Sequence, residues 1–129
     1  MTKSLSVSLQ IQALVFFLFA VFVVVTIIFG QNSLSEFFYR GEEFHWDYEL
    51  MFAGLFFVWS IFLWRASQNP SNHKTFIDFT VVANLMHIGV MIVIGLYAPD
   101  EFLHLFMDTL FLFTPTLLIL YFRKGFFVS

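Results

Sequence analysis

A chain of 129 residues is long enough for one domain, yet 60% of it is hydrophobic, 12% is charged and the formal net charge is -3. A soluble fold of this size cannot hide so much apolar surface, 21 phenylalanines included, behind so few polar groups, so lipid is the expected solvent. The six Lys and Arg residues are scattered in ones and twos, which excludes the basic stripe of a nucleic-acid binder, and the lack of cysteine excludes disulfides, thiolate metal sites and iron–sulfur clusters.

Hydrophobic patterning predicts an all-α integral membrane four-helix bundle in a single domain, with spans at about 8–30, 47–66, 75–97 and 101–122. The apolar body of the first, 11–29, is broken by Thr26 and exceeds the roughly 7 to 15 residues of a secretory leader. Segment 31–47 mixes Phe37, Phe38, Tyr39, Phe44 and Trp46 with Glu36, Arg40, Glu42 and Glu43, the composition of a segment in the headgroup layer. It is expected to form an interfacial helix or cap between the first and second helices.

The polar stretch 67–72 around Pro70 is a turn signal between the second and third spans, and Pro99 with Asp100 and Glu101 opens the fourth. Such short links make the second to fourth spans antiparallel neighbours. Pro115 between Thr114 and Thr116 predicts a kink, with the carbonyl of Phe111 left for a threonine hydroxyl or a neighbouring helix. Gly54, Gly89 and Gly95 are expected to allow close helix approach. Lys3, Arg65, Lys74, Arg123 and Lys124 fall on one side of this topology and only Arg40 on the other, which assigns both termini to the cytoplasmic side of the membrane.

Ionisable groups inside a span cost several kcal/mol unless paired or hydrated, so each is a functional candidate with a structural competitor. Thr80, Asn84 and His87 share one helical stripe, which reads either as a ligand or proton site or as a row of interhelical hydrogen bonds. Glu101, His104 and Asp108 share a face of the fourth helix, and Glu49 lies near the outer end of the second. The candidate metal set is therefore His87, His104 and Asp108, with Glu49 or Glu101 as a further ligand, suited to a divalent metal such as Zn or Fe. Haem is disfavoured because His87 and His104 differ in depth by more than one helical turn. Glu42-x-x-His45 and Glu101-x-x-His104 match the spacing of helix-bundle di-iron sites, although the first lies in the loop. Asp78 is expected to pair near the short loop, where Arg65, His73 and Lys74 cluster.

The string Arg-Ala-Ser-Gln-Asn-Pro-Ser-Asn-His-Lys-Thr-Phe-Ile-Asp-Phe-Thr at 65–80, Asn-Leu-Met-His-Ile-Gly-Val-Met at 84–91 and His104-x-x-x-Asp108 resemble an uncharacterised family of small bacterial four-span membrane proteins. The resemblance covers about the last two-thirds of the chain and marks Asn69, Pro70, Asp78, His87, His104 and Asp108 as matching positions. It implies a fold and a recurring polar set, not an activity; similarity to DoxX-like proteins is architectural only. The expected function is an oligomer or accessory subunit with an intramembrane His/Asp site for a metal, proton or small ligand. A purely structural subunit of a larger complex and a membrane-embedded metal-dependent oxidoreductase are the alternatives, and the sequence does not decide whether the protein is an enzyme.

Overall fold

The computed structural model describes residues 2–29, 46–97 and 109–123, and all of them lie in helices or the turn joining two of them. The expected interfacial segment and its Glu42-x-x-His45 spacing fall outside the described residues, as do Pro99, Asp100 and the first part of the fourth span. Helix α1 runs Thr2–Phe29, α2 Trp46–Gln68 and α3 Lys74–Tyr97; Pro70–His73 form a 3₁₀ turn, and a π-helical turn at Thr109–Phe113 leads into α4, Thr114–Arg123.

Helix α1 starts before its apolar run because its serines are satisfied locally. Ser8 Oγ donates to the Ser4 carbonyl at 2.9 Å, and Ser6 Oγ reaches the Ser67 carbonyl of α2, while Leu5 and Leu9 between them are fully buried. Thr26 ties its hydroxyl to the Phe22 carbonyl at 2.9 Å, so it interrupts the apolar run without interrupting the helix. Asp47 and Glu49 in the first turn of α2 and Arg65 in its last turn complement the helix dipole. The turn after α2 closes with the Asn72 amide on the Asn69 carbonyl at 3.2 Å and the Ser71 hydroxyl on Asn69 Oδ1 at 2.6 Å.

Contacts between helices fix the topology. Ser6 meets Ser67, Phe16 meets Trp59 and Phe19 meets Phe56, so α1 and α2 run antiparallel along much of their length. Phe62 faces Phe76 and Trp59 faces Phe79 across the antiparallel α2–α3 pair. Asp78 with Arg123 and Asn84 with Thr116 set α4 antiparallel to α3. The result is an up-down-up-down arrangement in which α1 packs most extensively against α2 and then against α4. Lys3, Arg65, Lys74 and Arg123 consequently gather at one end of the bundle, and Asp47 and Glu49 lie toward the other.

The α1–α2 contact is built from small and aromatic residues: Ala13, Ala20, Ala53 and Ala66 are buried, and the Phe16 ring meets Phe56 edge-on at 4.7 Å and Trp59 at 5.3 Å. Gly54 and Gly89, expected at helix contacts, instead face open space, with no atom within 4 Å of where a Cβ would sit. The alanines take that role. Among the described residues the outward faces are mostly apolar, as at Leu14, Phe17, Leu55, Val58, Val82 and Val93. Among the described residues, three helices are long and apolar enough to cross a membrane: 27, 22 and 28 residues over Lys3–Phe29, Asp47–Gln68 and Pro70–Tyr97.

At the fourth helix, Pro115 comes just after the π-turn at Thr109–Phe113, which runs directly into α4, so its missing N–H falls where the regular hydrogen-bond ladder is already interrupted. The Thr116 hydroxyl donates to the carbonyl of Leu112 at 2.6 Å rather than to that of Phe111.

Candidate functional site

Polar side chains from three helices meet inside the bundle. Asn84 of α3 donates through Nδ2 to Thr116 Oγ1 of α4 at 2.9 Å and, at the long distance of 3.4 Å, to Gln12 Oε1 of α1. Thr116 has one hydroxyl proton and spends it on the Leu112 carbonyl, so its 3.5 Å approach to Gln12 Oε1 adds little. Gln12, Asn84 and Thr116 are 0%, 3% and 0% exposed. The Gln12 Nε2 group finds no partner among the described residues, although burial makes an unmade hydrogen bond there cost about 1–3 kcal/mol. At 1.5 Å per residue, the layer lies about 10–15 Å from the level of Lys3, Lys74 and Arg123.

Two further polar contacts lie closer to the basic end. Thr80 is fully buried and its Oγ1 accepts from Trp59 Nε1 at 2.9 Å, which joins α3 to α2. Asp78 Oδ1 lies 2.5 Å from Arg123 Nη2, with the two side chains 34% and 26% exposed. The expected ion pair therefore exists, but its cation is the last described residue of α4 and not Arg65, His73 or Lys74. It clamps the end of the fourth helix to the start of the third.

The stripe of Thr80, Asn84 and His87 divides. Thr80 and Asn84 face inward and hold neighbouring helices, whereas His87 is exposed. The three positions span about 60° of arc, and the buried arc is displaced from them toward Val81 and Ile88, leaving His87 on the outward edge. Extending the α2–α3 register set by Phe62–Phe76 and Trp59–Thr80 puts Glu49 level with Gly89 and Val90, about 4 Å of rise from His87. Glu49 and His87 thus share a layer in the half of the bundle away from the basic end. His104, Asp108 and Glu101 lie outside the described residues. Among the described residues, no three His, Asp or Glu side chains group as metal ligands.

Gln12 is the residue that sequence reasoning missed. It stands second in the apolar run 11–29 and so looks like a boundary marker, but the helix continues ten residues before it. The available signal was that Gln12 and Asn84 are long amides within two separate spans. Thr116 stands out in the sequence only as a neighbour of Pro115.

Among the described residues, these elements define a small all-helical bundle with a polar interior layer, a mostly apolar exterior and three helices long and apolar enough to cross a membrane. Residues 3–125 match the model of a family of unknown function, DUF6632, and the chain belongs to that family. The match extends the resemblance from the last two-thirds of the chain to nearly all of it, the first span included. No curated protein and no solved structure matches the chain.

Proposed function

We propose that the protein is a small integral membrane protein of the bacterial inner membrane, crossing it four times with both termini cytoplasmic, and acting as an oligomer or accessory subunit with an intramembrane site for a metal ion, proton or small ligand. The observation that carries the membrane part is the inverted distribution of polarity: large apolar side chains outside, amides and hydroxyls inside. The gathering of Lys3, Arg65, Lys74 and Arg123 at one end supports the orientation. Leu110–Arg123, apolar but shorter, is the described part of the proposed fourth span.

The proposed ligand set is His87 with His104 and Asp108, joined by Glu49 or Glu101. What supports it is depth: an imidazole 13 residues into α3, about 20 Å from the basic end, with a carboxylate in its layer. A second reading, a structural subunit of a larger complex, is favoured by Thr80 and Asn84, whose side chains are used in helix contacts. Elemental analysis of the purified protein separates the two. A stoichiometric metal in the wild type that is lost in His87→Ala supports the ligand site; a wild type without metal after growth at ample metal supply, together with loss of a co-purifying subunit in His87→Ala, supports the structural one.

Orientation has its own test, made simple by a chain with no cysteine. Ser71→Cys in the short turn is expected to resist a membrane-impermeant maleimide in intact cells and to react after lysis. Ser35→Cys is expected to react in both. The reverse pattern rules out cytoplasmic termini.

A further inference from the structure

The Gln12 side chain combines three features: complete burial, a weakly engaged oxygen and an amide nitrogen with no partner among the described residues. Its neighbours in the layer do not supply the missing acceptor. Asn84 presents Nδ2, itself a donor, toward Gln12, and Thr116 Oγ1, which accepts from Asn84, lies against Gln12 Oε1 and not Nε2. Turning the Gln12 amide over would set its NH₂ against that Asn84 donor. With the Asn84 amide as it stands, the layer therefore favours this orientation, which leaves Nε2 without an acceptor among the described residues.

We infer that Gln12 Nε2, backed by Asn84 and Thr116, is the recognition element of an interior binding site, separate from His87, for one neutral hydrogen-bond-accepting oxygen. The chemistry of the group selects the ligand class. A cation is repelled, because the free atoms are N–H hydrogens. An anion is disfavoured by neutral donors alone, since the Arg123 guanidinium is engaged with Asp78 at a level about 9 Å away along α3. An oxygen of water or of a small amphiphile's carbonyl accepts from an amide without bringing charge into the interior. Burial is the same whichever solvent surrounds the bundle, so the inference does not rest on the proposed function.

The test uses full-length protein labelled with ¹⁵N at glutamine side chains and purified in an alkyl maltoside, a detergent without a carbonyl. The Gln12 NH₂ signals are assigned by their loss in Gln12→Met, or in Gln12→Glu where Met impairs folding. Cross-relaxation of these signals to water identifies a bound water. An added mass in native mass spectrometry that disappears in the variant, with no water contact, identifies a co-purified carbonyl ligand. Either outcome supports the site; a wild type whose Gln12 NH₂ contacts neither water nor a bound molecule overturns it.

Discussion

Helix α1 shows two different faces to the rest of the molecule. Toward α2 it presents alanines and the Phe16 ring, closed by Phe56 and Trp59 with no hydrogen bond between side chains of the two helices among those described. Toward α3 and α4 it presents Gln12 within the apolar cluster of Leu5, Leu9, Ile77, Val81 and Ile119, so amides and a hydroxyl add hydrogen bonds to that packing. In the lipid setting proposed above, tails are as apolar as leucine, so burying hydrocarbon between helices contributes little; close packing and hydrogen bonds remain. The α1–α2 interface relies on packing, with the Ser6 hydroxyl on the Ser67 carbonyl at its basic end, and the other adds a layer of side-chain hydrogen bonds to its packing. The packed face can fix α1 and α2 as a pair, whereas the polar layer joins α3 and α4 partly by bonds that a ligand or water can also make.

Truncation at the packed face gives the largest expected effect. Phe16→Ala empties the centre of the aromatic cluster and is expected to cost about 3 kcal/mol, read from unfolding in mixed micelles. A loss no greater than that of an outward residue such as Phe17→Ala would show that the pair is not held by this ring. At the polar face the effect is smaller. Asn84→Ala is expected to cost about 1 kcal/mol, and a double-mutant cycle with Thr116→Val should give a coupling of about 0.6 kcal/mol. Zero coupling would remove the bond from the account.

Asp78→Asn removes one partner of a pair that is a third exposed, and the expected loss is below about 1 kcal/mol. Exchanging the two residues, Asp78→Arg with Arg123→Asp, should recover most of it if the clamp between α3 and α4 is electrostatic. The smallest effect is of opposite sign. Gly89→Ala meets open space and a helical backbone, so it should stabilise the chain by about 0.5 kcal/mol. Destabilisation, or a change in oligomeric state, would instead show that a second molecule covers that face.

Long-range partners explain what the sequence could and could not convey. The apolar runs and the turn around Pro70 were legible because each is a local property: length, hydropathy and backbone-restricting residues. Asp78 was recognised as half of an ion pair, but its partner lies 45 positions away, and the nearer cations offered a closer match by position alone. Spacing puts His87 on one stripe with Thr80 and Asn84; its outward setting depends on which side of α3 the neighbours cover, and periodicity leaves that azimuth open. Gln12 was hidden by its place at the edge of an apolar run, since the helix before it is held by serines that hydropathy counts as a boundary.

The π-turn at Thr109–Phe113 bears on any comparison of the fourth span among relatives. One turn there holds an added residue, which sets the angular phase of α4, and Thr116 and Ile119 point inward on that phase. A chain shortened by a single residue between 109 and 113 could rewind that turn as ordinary α-helix and keep Thr116 facing Asn84, whereas α-helical winding at the present length would swing Thr116 by roughly 100°. A one-residue gap at this spot in an aligned relative is therefore compatible with the interior polar layer.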